Sequence, residues 1–228
     1  MRIRQLVAVV ILPYGLIAQS RPAPPGVLPP SATTQLATSL DAATRHPRHI
    51  WRDTAPVNDD GTVNAYIEIS RGDRRKWEFD MRANVRAIDR MIPAAGGGYP
   101  VNYGFVPQTV SYDGDPFDAL VLGPSLPGGD IVRGVIVGLL YMDDEKGIDS
   151  KVVLSPTDQS GSPRYPLTAK EREPIAEYFR KYKRGQPGKF SEVSGWGTIA
   201  DGRAHVTTTR AFFRTCRSRA GEPCHIGQ

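Results

Sequence analysis

Three carboxylates lie within six residues in the segment Asp113-Gly-Asp-Pro-Phe-Asp118. Gly114 permits unusual backbone angles, and Pro116 fixes φ and removes an N–H donor, so this segment cannot be the interior of a helix. A tight turn can direct all three aspartates at one point, where a divalent cation shared with a phosphate would offset their repulsion. Taken alone, however, the segment is explained slightly better as an acidic surface turn.

A second acidic cluster, Asp143-Asp-Glu-Lys-Gly-Ile-Asp149, follows a long apolar stretch at 131–142 that we predict to be a buried strand. The first cluster directly precedes another short apolar strand, predicted at 119–122. If these strands are neighbours in a barrel, both clusters meet at its mouth. Two acidic clusters at strand ends are harder to explain as surface turns than one, so the pair favours a metal site.

The remaining elements that must position these acids are mostly strands. Alternating β-branched residues predict a strand at 63–69, and further strands are predicted at 75–80 and 85–91. Apolar side chains at helical spacing predict an amphipathic helix over 168–183, and a second helix is predicted over 198–215. The pattern is therefore mainly β, with two helices.

Charged residues also occur within the predicted strands. Glu68 lies between two isoleucines and faces the opposite side of its strand, which is either a barrel interior or solvent. Lys76, Glu78 and Asp80 share one face of the next strand. A half-solvated hairpin without function would show the same pattern, so both interpretations remain open for these residues.

Length and charge narrow the class of protein. The chain has 228 residues, enough for one domain with tails, and its 29 Lys+Arg and 24 Asp+Glu are mixed along it to give a net charge of +5. This mixture does not indicate nucleic-acid binding. An oligonucleotide-binding surface would carry exposed aromatic and basic residues without acidic clusters.

The N-terminus has the pattern of a secretory signal over residues 1–18, where Arg2 and Arg4 precede an apolar stretch. That stretch is short for a membrane span and contains Pro13. We therefore expect an exported protein, periplasmic or secreted, with no membrane anchor in its mature form; a cytoplasmic location is the alternative. Residues 19–60 are rich in Pro, Ala, Ser and Thr and are predicted to be a disordered or extended linker.

Cys216 and Cys224 are the only cysteines. In an exported chain they can close a small disulfide loop, and the alternative is two free thiols. We expect residues 216–228 to form a C-terminal tail.

Together, these motifs resemble the soluble (family I) inorganic pyrophosphatases over about residues 63–197. The resemblance rests on the following segments, in the family's order: Ile67-Glu-Ile69, Lys76-Trp-Glu78, Asp89-Arg90, Tyr99-Pro-Val-Asn-Tyr-Gly-Phe105, Asp113-Gly-Asp-Pro-Phe-Asp118, Asp144-Glu145 with Asp149 and Lys151, and Tyr182-Lys183. One such motif is weak evidence, whereas all of them in order are strong evidence. Ser70 and Ile148 depart from the family pattern, but neither departure removes a proposed ligand.

The resemblance implies an α+β, mainly β fold, a small closed β-barrel related to the OB-fold with two flanking helices, within a catalytic domain at 61–215. It implies hydrolysis of pyrophosphate to two phosphates, by attack of a metal-bound water on a phosphate held by Lys, Arg and Tyr. It also implies several Mg²⁺ ions per active site, with Mn²⁺ or Zn²⁺ as alternatives, and a homo-oligomer, a hexamer being favoured.

When the roles of the family's motif residues are assigned to the matching positions of this chain, Asp115 resembles the general base that acts on the attacking water. The residues that resemble metal ligands are Asp113, Asp118, Asp144 and Asp149, with Glu68, Glu78 and Glu145 as further ligands or as groups behind them. The residues that resemble phosphate contacts are Lys76, Arg90, Tyr103, Tyr182 and Lys183, with Lys151 nearby.

The chemistry of pyrophosphate requires these residue types. The substrate is a compact polyanion, so metals shared between carboxylates and phosphate oxygens must neutralise it and lower the pKa of the attacking water. Lysine and arginine then stabilise charge on the leaving phosphate. Two rivals remain: a phosphohydrolase acting on short polyphosphate or nucleoside triphosphates, and a non-catalytic metal- or phosphate-binding module.

Overall fold

The computed structural model describes residues 24–92 and 97–227, so the predicted signal at 1–18 lies outside the described residues. The strands are β1 (Val27–Leu28), β2 (Val63–Ile69), β3 (Arg75–Asp80), β4 (Val85–Met91), β5 (Asn102–Phe105), β6 (Asp118–Val121), β7 (Ile131–Asp144), β8 (Gly147–Ile148), β9 (Lys151–Ser155), β10 (Ser191–Gly197) and β11 (Cys224–His225). The helices are α1 (Pro30–Ala43), α2 (Ile50–Asp53), α3 (Ala169–Lys181) and α4 (Ile199–Thr215). None of the described helices is long and apolar enough to cross a membrane.

Five strands close into a barrel. β7 pairs with β2 on one side and β9 on the other, and the ring continues from β2 through β5 and β6 to β9. Only β6 and β9 run parallel among these pairs. β10 extends the sheet from β7, while β3 and β4 form a separate hairpin beside it. The predicted closed β-barrel is confirmed.

The two predicted flanking helices are also confirmed as α3 and α4. The sequence at 207–209, three threonines, is a poor helix former, yet it lies in the middle of α4. A capping box between Thr198 and Asp201 fixes the start of this helix. The buried Thr209 hydroxyl donates to the His205 carbonyl at 2.8 Å, which satisfies its polar group within the helix.

The prediction of a disordered or extended linker over residues 19–60 is wrong where this segment forms α1 and α2. Pro30 occupies the start of α1, where its missing N–H and fixed φ suit a helix. Within the Ala- and Thr-rich sequence, buried residues recur at helical spacing at 32, 36, 39 and 43. Trp51 of α2 is fully buried, and its indole N–H donates to the Thr109 carbonyl at 2.9 Å. This segment therefore packs on the barrel.

The C-terminal residues are likewise part of the fold. Cys216 and Cys224 form a disulfide, which decides between the two alternatives left open by the sequence. β11 then pairs with β1, so that Cys224 lies opposite Leu28. The disulfide loop consequently holds β1 against the end of α4.

Candidate active site

A cleft of about 330 Å³ opens at one end of the barrel, where both acidic clusters meet. Twelve of the fourteen predicted site residues line it: Lys76, Glu78, Arg90, Tyr103, Asp113, Asp115, Asp118, Asp144, Glu145, Asp149, Tyr182 and Lys183. The two others are buried beside it. Lys151 contacts two of the lining aspartates, and Glu68 lines an adjoining cleft.

The first acidic cluster is a tight turn ahead of β6. Gly114 has φ +91°, a left-handed conformation that favours glycine, and its N–H donates to the Ser111 carbonyl at 3.0 Å. The Asp115 N–H donates to Asp113 Oδ1 at 3.1 Å. The turn therefore brings Asp113, Asp115 and, at the first residue of β6, Asp118 to the same cleft.

Parallel pairing of β6 with β9 explains a buried ion-pair cluster. Because Ala119 pairs with Val152, the preceding residues Asp118 and Lys151 lie side by side. Lys151 Nζ donates to Asp118 Oδ2 at 2.5 Å and to Asp149 Oδ1 at 2.8 Å. Burial alone would lower the pKa of the Lys151 ammonium, but the two adjacent carboxylates raise it, so this lysine stays charged inside the protein.

The second acidic cluster surrounds the turn between β7 and β8. Lys183, two residues after the end of α3, donates to Asp144 Oδ2 at 2.6 Å and to Glu145 Oε2 at 2.9 Å. Lys189 donates to Glu145 Oε1 at 2.7 Å. Although partial burial would raise the pKa of Glu145, the hydrogen bonds from Lys189 and Lys183 lower it to about 2.

The β3–β4 hairpin supplies a third wall. Lys76 pairs with Arg90 across the hairpin, and both side chains line the cleft. Lys76 forms an ion pair with Glu78, and its Nζ lies 3.4 Å from Asp89 Oδ2. The hairpin thus carries two cations and two carboxylates to the mouth of the barrel.

Aromatic rings form the remaining wall. The ring of Tyr182, at the end of α3, lies 5.4 Å from that of Phe179. Lys151 Nζ lies 5.7 Å from the centroid of the Tyr103 ring and 5.5 Å from that of Phe179. Burial raises the pKa values of Tyr103 and Tyr182, so both hydroxyls keep their protons and can donate hydrogen bonds.

The cleft has more acid than base. Eight carboxyl groups and five lysine or arginine side chains line it, an excess of three acids. Burial, together with the neighbouring Asp115, raises the pKa of Asp113 to about 6. Burial also raises the pKa of Asp149, which shares the Lys151 ammonium with Asp118, and that of Glu68 to about 8. Desolvation is the main cause of these upward pKa shifts, and the neighbouring lysines Lys146, Lys151 and Lys76 offset it only in part.

Comparison with known proteins agrees with this chemistry. The family model for inorganic pyrophosphatase matches residues 65–214, which include most of the barrel and all fourteen predicted site residues. The chain belongs to the inorganic pyrophosphatase family.

Individual members of the family are similar over most of their length. The inorganic pyrophosphatase of Caulobacter vibrioides is 39% identical over 176 residues, covering 73% of this chain and 94% of that protein. That of Saccharolobus solfataricus is 36% identical over 152 residues, covering 63% of this chain and 87% of that protein. The solved structure from Thermus thermophilus has a TM-score of 0.66 at 33% identity, covering 73% of this chain and 99% of that one.

Inorganic pyrophosphatases of this family depend on metal ions, so the cleft should offer groups that can hold them. Within residues 24–92 and 97–227, no three His, Cys, Asp or Glu side chains are arranged to hold an ion. Lysine ammonium groups contact several of the carboxylates in the cleft. The donors are nevertheless oxygen atoms of the kind that hard divalent cations prefer. The cleft has three more acidic than basic side chains, and this excess fits divalent cations bound where lysine ammonium groups now contact the carboxylates.

Sequence reasoning missed several residues that line the pyrophosphatase cleft. Lys146 bridges Asp115 at 3.1 Å and Asp113 at 3.4 Å, and its position inside the second acidic cluster was a usable signal. Lys189 lies in a loop after α3 with no pattern around it. The other residues of the cleft that were given no role are Asp89, Tyr99, Ser111, Pro116, Phe179 and Gln186.

Proposed function

We propose that this protein hydrolyses inorganic pyrophosphate to two phosphates with Mg²⁺ as the metal ion. The observation that carries the proposal is the meeting, in one cleft, of basic and tyrosyl side chains with a larger number of carboxyl groups. A pyrophosphate anion cannot bind such an acidic cleft unless cations accompany it. Family membership supports the same reaction.

The chain's own residues have distinct roles in this reaction. Asp115, about half exposed at the cleft, accepts a proton from the attacking water. Lys76, Arg90 and Lys183 bind the phosphate oxygens and stabilise the charge that develops on the leaving phosphate. The protonated Tyr103 and Tyr182 donate neutral hydrogen bonds.

The carboxylates Asp113, Asp118, Asp144 and Asp149 would hold the metal ions, with Glu78 and Glu145 at the rim of the cleft. Bound Mg²⁺ supplies charge neutralisation and acidifies water. Glu68 accepts the Phe79 N–H at 2.7 Å and lies behind the hairpin, which supports a role in fixing the hairpin. Lys151 orients Asp118 and Asp149 from beneath.

The test is phosphate release from pyrophosphate by the full chain, with Mg²⁺ and with EDTA, beside Asp115→Asn. We expect release that requires metal and falls by about 10²- to 10⁴-fold in the variant, the usual contribution of a general base. The matched control is Asp59→Asn, an exposed aspartate outside the cleft, which should keep full activity. A folded protein that releases no phosphate with any divalent metal would exclude the enzyme and favour a binding module.

The same assay with tripolyphosphate and ATP tests substrate range. Release from pyrophosphate alone supports the proposal, whereas equal rates with the longer substrates would support the broader phosphohydrolase.

We propose that the protein is exported, with residues 1–18 as its signal. The Cys216–Cys224 disulfide supports this location, because disulfides persist mainly in oxidising compartments. Cell fractionation checks it: activity outside the cytoplasm from a chain lacking residues 1–18 is the expected result. Active protein in the cytosol with its N-terminus intact would contradict export.

We also propose a homo-oligomer, a hexamer being favoured. Val85, Ile88 and Met91 of β4 are each more than half exposed, and this strand pairs only with β3 in the described part of the chain. An exposed apolar strand edge of this kind favours association. Sedimentation equilibrium checks the state, and a monomer at micromolar concentration would contradict the proposal.

A further inference from the structure

The helix α1 lies outside the part of the chain that matches the family. The match begins at residue 65, and 99% of the Thermus thermophilus structure is covered by 73% of this chain. α1 spans Pro30–Ala43 and therefore precedes the part of the chain that the family model matches. Its contacts nevertheless reach the acidic turn of the active site.

The contact lies at Gly114, between Asp113 and Asp115. A Cβ atom built at this glycine would lie 2.4 Å from Gln35 Cβ and 3.1 Å from the Ala32 Cα. The backbone of the turn therefore packs directly on α1, with no layer of side chains between them. Gln35 is exposed as a whole, but its aliphatic stem covers the turn.

α1 is itself held at its N-terminal end. The Thr33 hydroxyl donates to the Glu222 carbonyl at 3.0 Å, within the loop that the disulfide closes. The Tyr112 hydroxyl, one residue before the acidic turn, donates to the Pro25 carbonyl at 2.8 Å. The pairing of β1 with β11 completes this attachment. The helix is thus a fixed surface against which the turn rests.

α1 also shapes the space next to the proposed catalytic base. A second cleft of about 550 Å³ adjoins the first, and Asp115, Pro116 and Lys146 line both. One wall of the second cleft consists of residues from α1: Gln35, Thr38, Ser39 and Ala42.

We propose that α1, through Gln35, is a positioning element that holds Asp113 and Asp115 at the geometry needed for catalysis. Without this contact a turn built around a glycine in the left-handed region has more freedom, and misplacing a reacting group by about 1 Å can cost about 10²-fold in rate. The inference rests on the proposed hydrolysis of pyrophosphate. Gln35 acts through the turn and does not touch substrate.

The test compares Gln35→Gly with Thr34→Gly in the full chain. Both residues are exposed on the same turn of α1, and both variants weaken the helix, because glycine is a poor helix former. Only the first variant removes the stem that covers Gly114. We expect similar losses of thermal stability, but a kcat about tenfold lower for Gln35→Gly alone, with little change in KM for pyrophosphate.

Gln35→Met separates packing from hydrogen bonding. It keeps the Cβ and Cγ atoms that cover the turn and removes only the amide, so we expect it to retain wild-type kcat. A loss equal to that of Gln35→Gly would show that the stem is not the positioning contact.

Equal kcat in the two glycine variants, with an active wild type, would overturn the inference and leave the proposed function intact. If the wild type releases no phosphate, the function fails, and hydrogen exchange still tests the contact. Amide exchange at residues 111–116 should then be faster in Gln35→Gly than in Thr34→Gly. Equal exchange would overturn the positioning role.

Discussion

Lys151 and Lys146 each bridge two aspartates of the candidate active site, but their surroundings differ. The Lys151 side chain is only 2% exposed, and its ammonium lies 2.5 Å from Asp118 and 2.8 Å from Asp149. The Lys146 side chain is 49% exposed, and its ammonium lies 3.1 Å from Asp115 and 3.4 Å from Asp113. The two bridges have similar partners, but the Lys151 side chain is buried, whereas the Lys146 side chain is half exposed to solvent.

The difference determines what each bridge can do. A buried ammonium has no water to replace its carboxylate partners, so breaking the Lys151 bridge leaves charges that are costly inside the protein. Water can replace the carboxylate partners of Lys146, and the interaction is screened. We infer that the Lys151 bridge is a fixed part of the folded structure. The Lys146 bridge can open when a metal ion and substrate bind.

Replacing the buried lysine should have the largest effect on stability. Lys151→Met leaves Asp118 and Asp149 without their shared cation, and we expect a loss of about 3–5 kcal/mol in the free energy of unfolding, together with loss of activity. Denaturant unfolding measures the change. In the matched control, Lys181→Met breaks an exposed pair with Glu177 and should cost less than about 1 kcal/mol. Equal losses of unfolding free energy in the two variants would contradict the distinction between the buried Lys151 bridge and exposed ion pairs.

Lys183 lies between the two extremes and should affect activity more than stability. Its side chain is 11% exposed, and it contacts Asp144 and Glu145 within the cleft. Because we propose that this partly desolvated charge also binds phosphate, its loss in Lys183→Met should lower kcat/KM by about 100-fold, or about 2.7 kcal/mol. Lys189→Met is the matched control, because Lys189 contacts the same Glu145 but is 45% exposed. Steady-state kinetics should show a much smaller change there, and equal changes would contradict the ranking by burial.

The barrel and the meeting of the acidic clusters could be predicted from the sequence because strands carry strong local signals. The apolar stretch that forms β7 and the alternation in β2 reflect burial directly. Both clusters lie next to such strands, so closing the barrel brings them together. The motif resemblance added the assignment of roles, which the spacing of charges alone does not give.

The N-terminal helices could not be predicted, because composition obscured their pattern. The buried positions of α1 include Ala32, Thr33 and Ser39, which carry little hydrophobic signal, and the prolines before it indicated extended chain. The contact between Gln35 and Gly114 joins residues far apart in sequence, and no local rule anticipates it. The burial of Lys151 had a weak signal, since it lies two residues from Asp149 and both can face one side of a strand.

The smallest effect on stability should come from removing the exposed bridge. Lys146→Ala removes one positive charge beside Asp113 and Asp115, and we expect the free energy of unfolding to change by less than about 1 kcal/mol. The local charge becomes more negative, so divalent cations should bind more tightly. Two unit charges about 4 Å apart in a water-like medium interact by about 1 kcal/mol, and a unit charge and a divalent cation by about 2 kcal/mol, so we expect the Mg²⁺ concentration for half-maximal activity to be about 30-fold lower.

Titrating activity with Mg²⁺ measures this shift, and Lys170→Ala is its matched control. Lys170 is exposed on α3 outside the active-site cleft, so its loss changes net charge equally without placing that change beside the acidic turn. An unchanged Mg²⁺ requirement in Lys170→Ala, with a lowered one in Lys146→Ala, would mean that the exposed lysine competes with metal for Asp113 and Asp115. A higher Mg²⁺ concentration for half-maximal activity in Lys146→Ala would instead show that Lys146 supports metal or substrate binding. Both lysine bridges would then be fixed parts of the site.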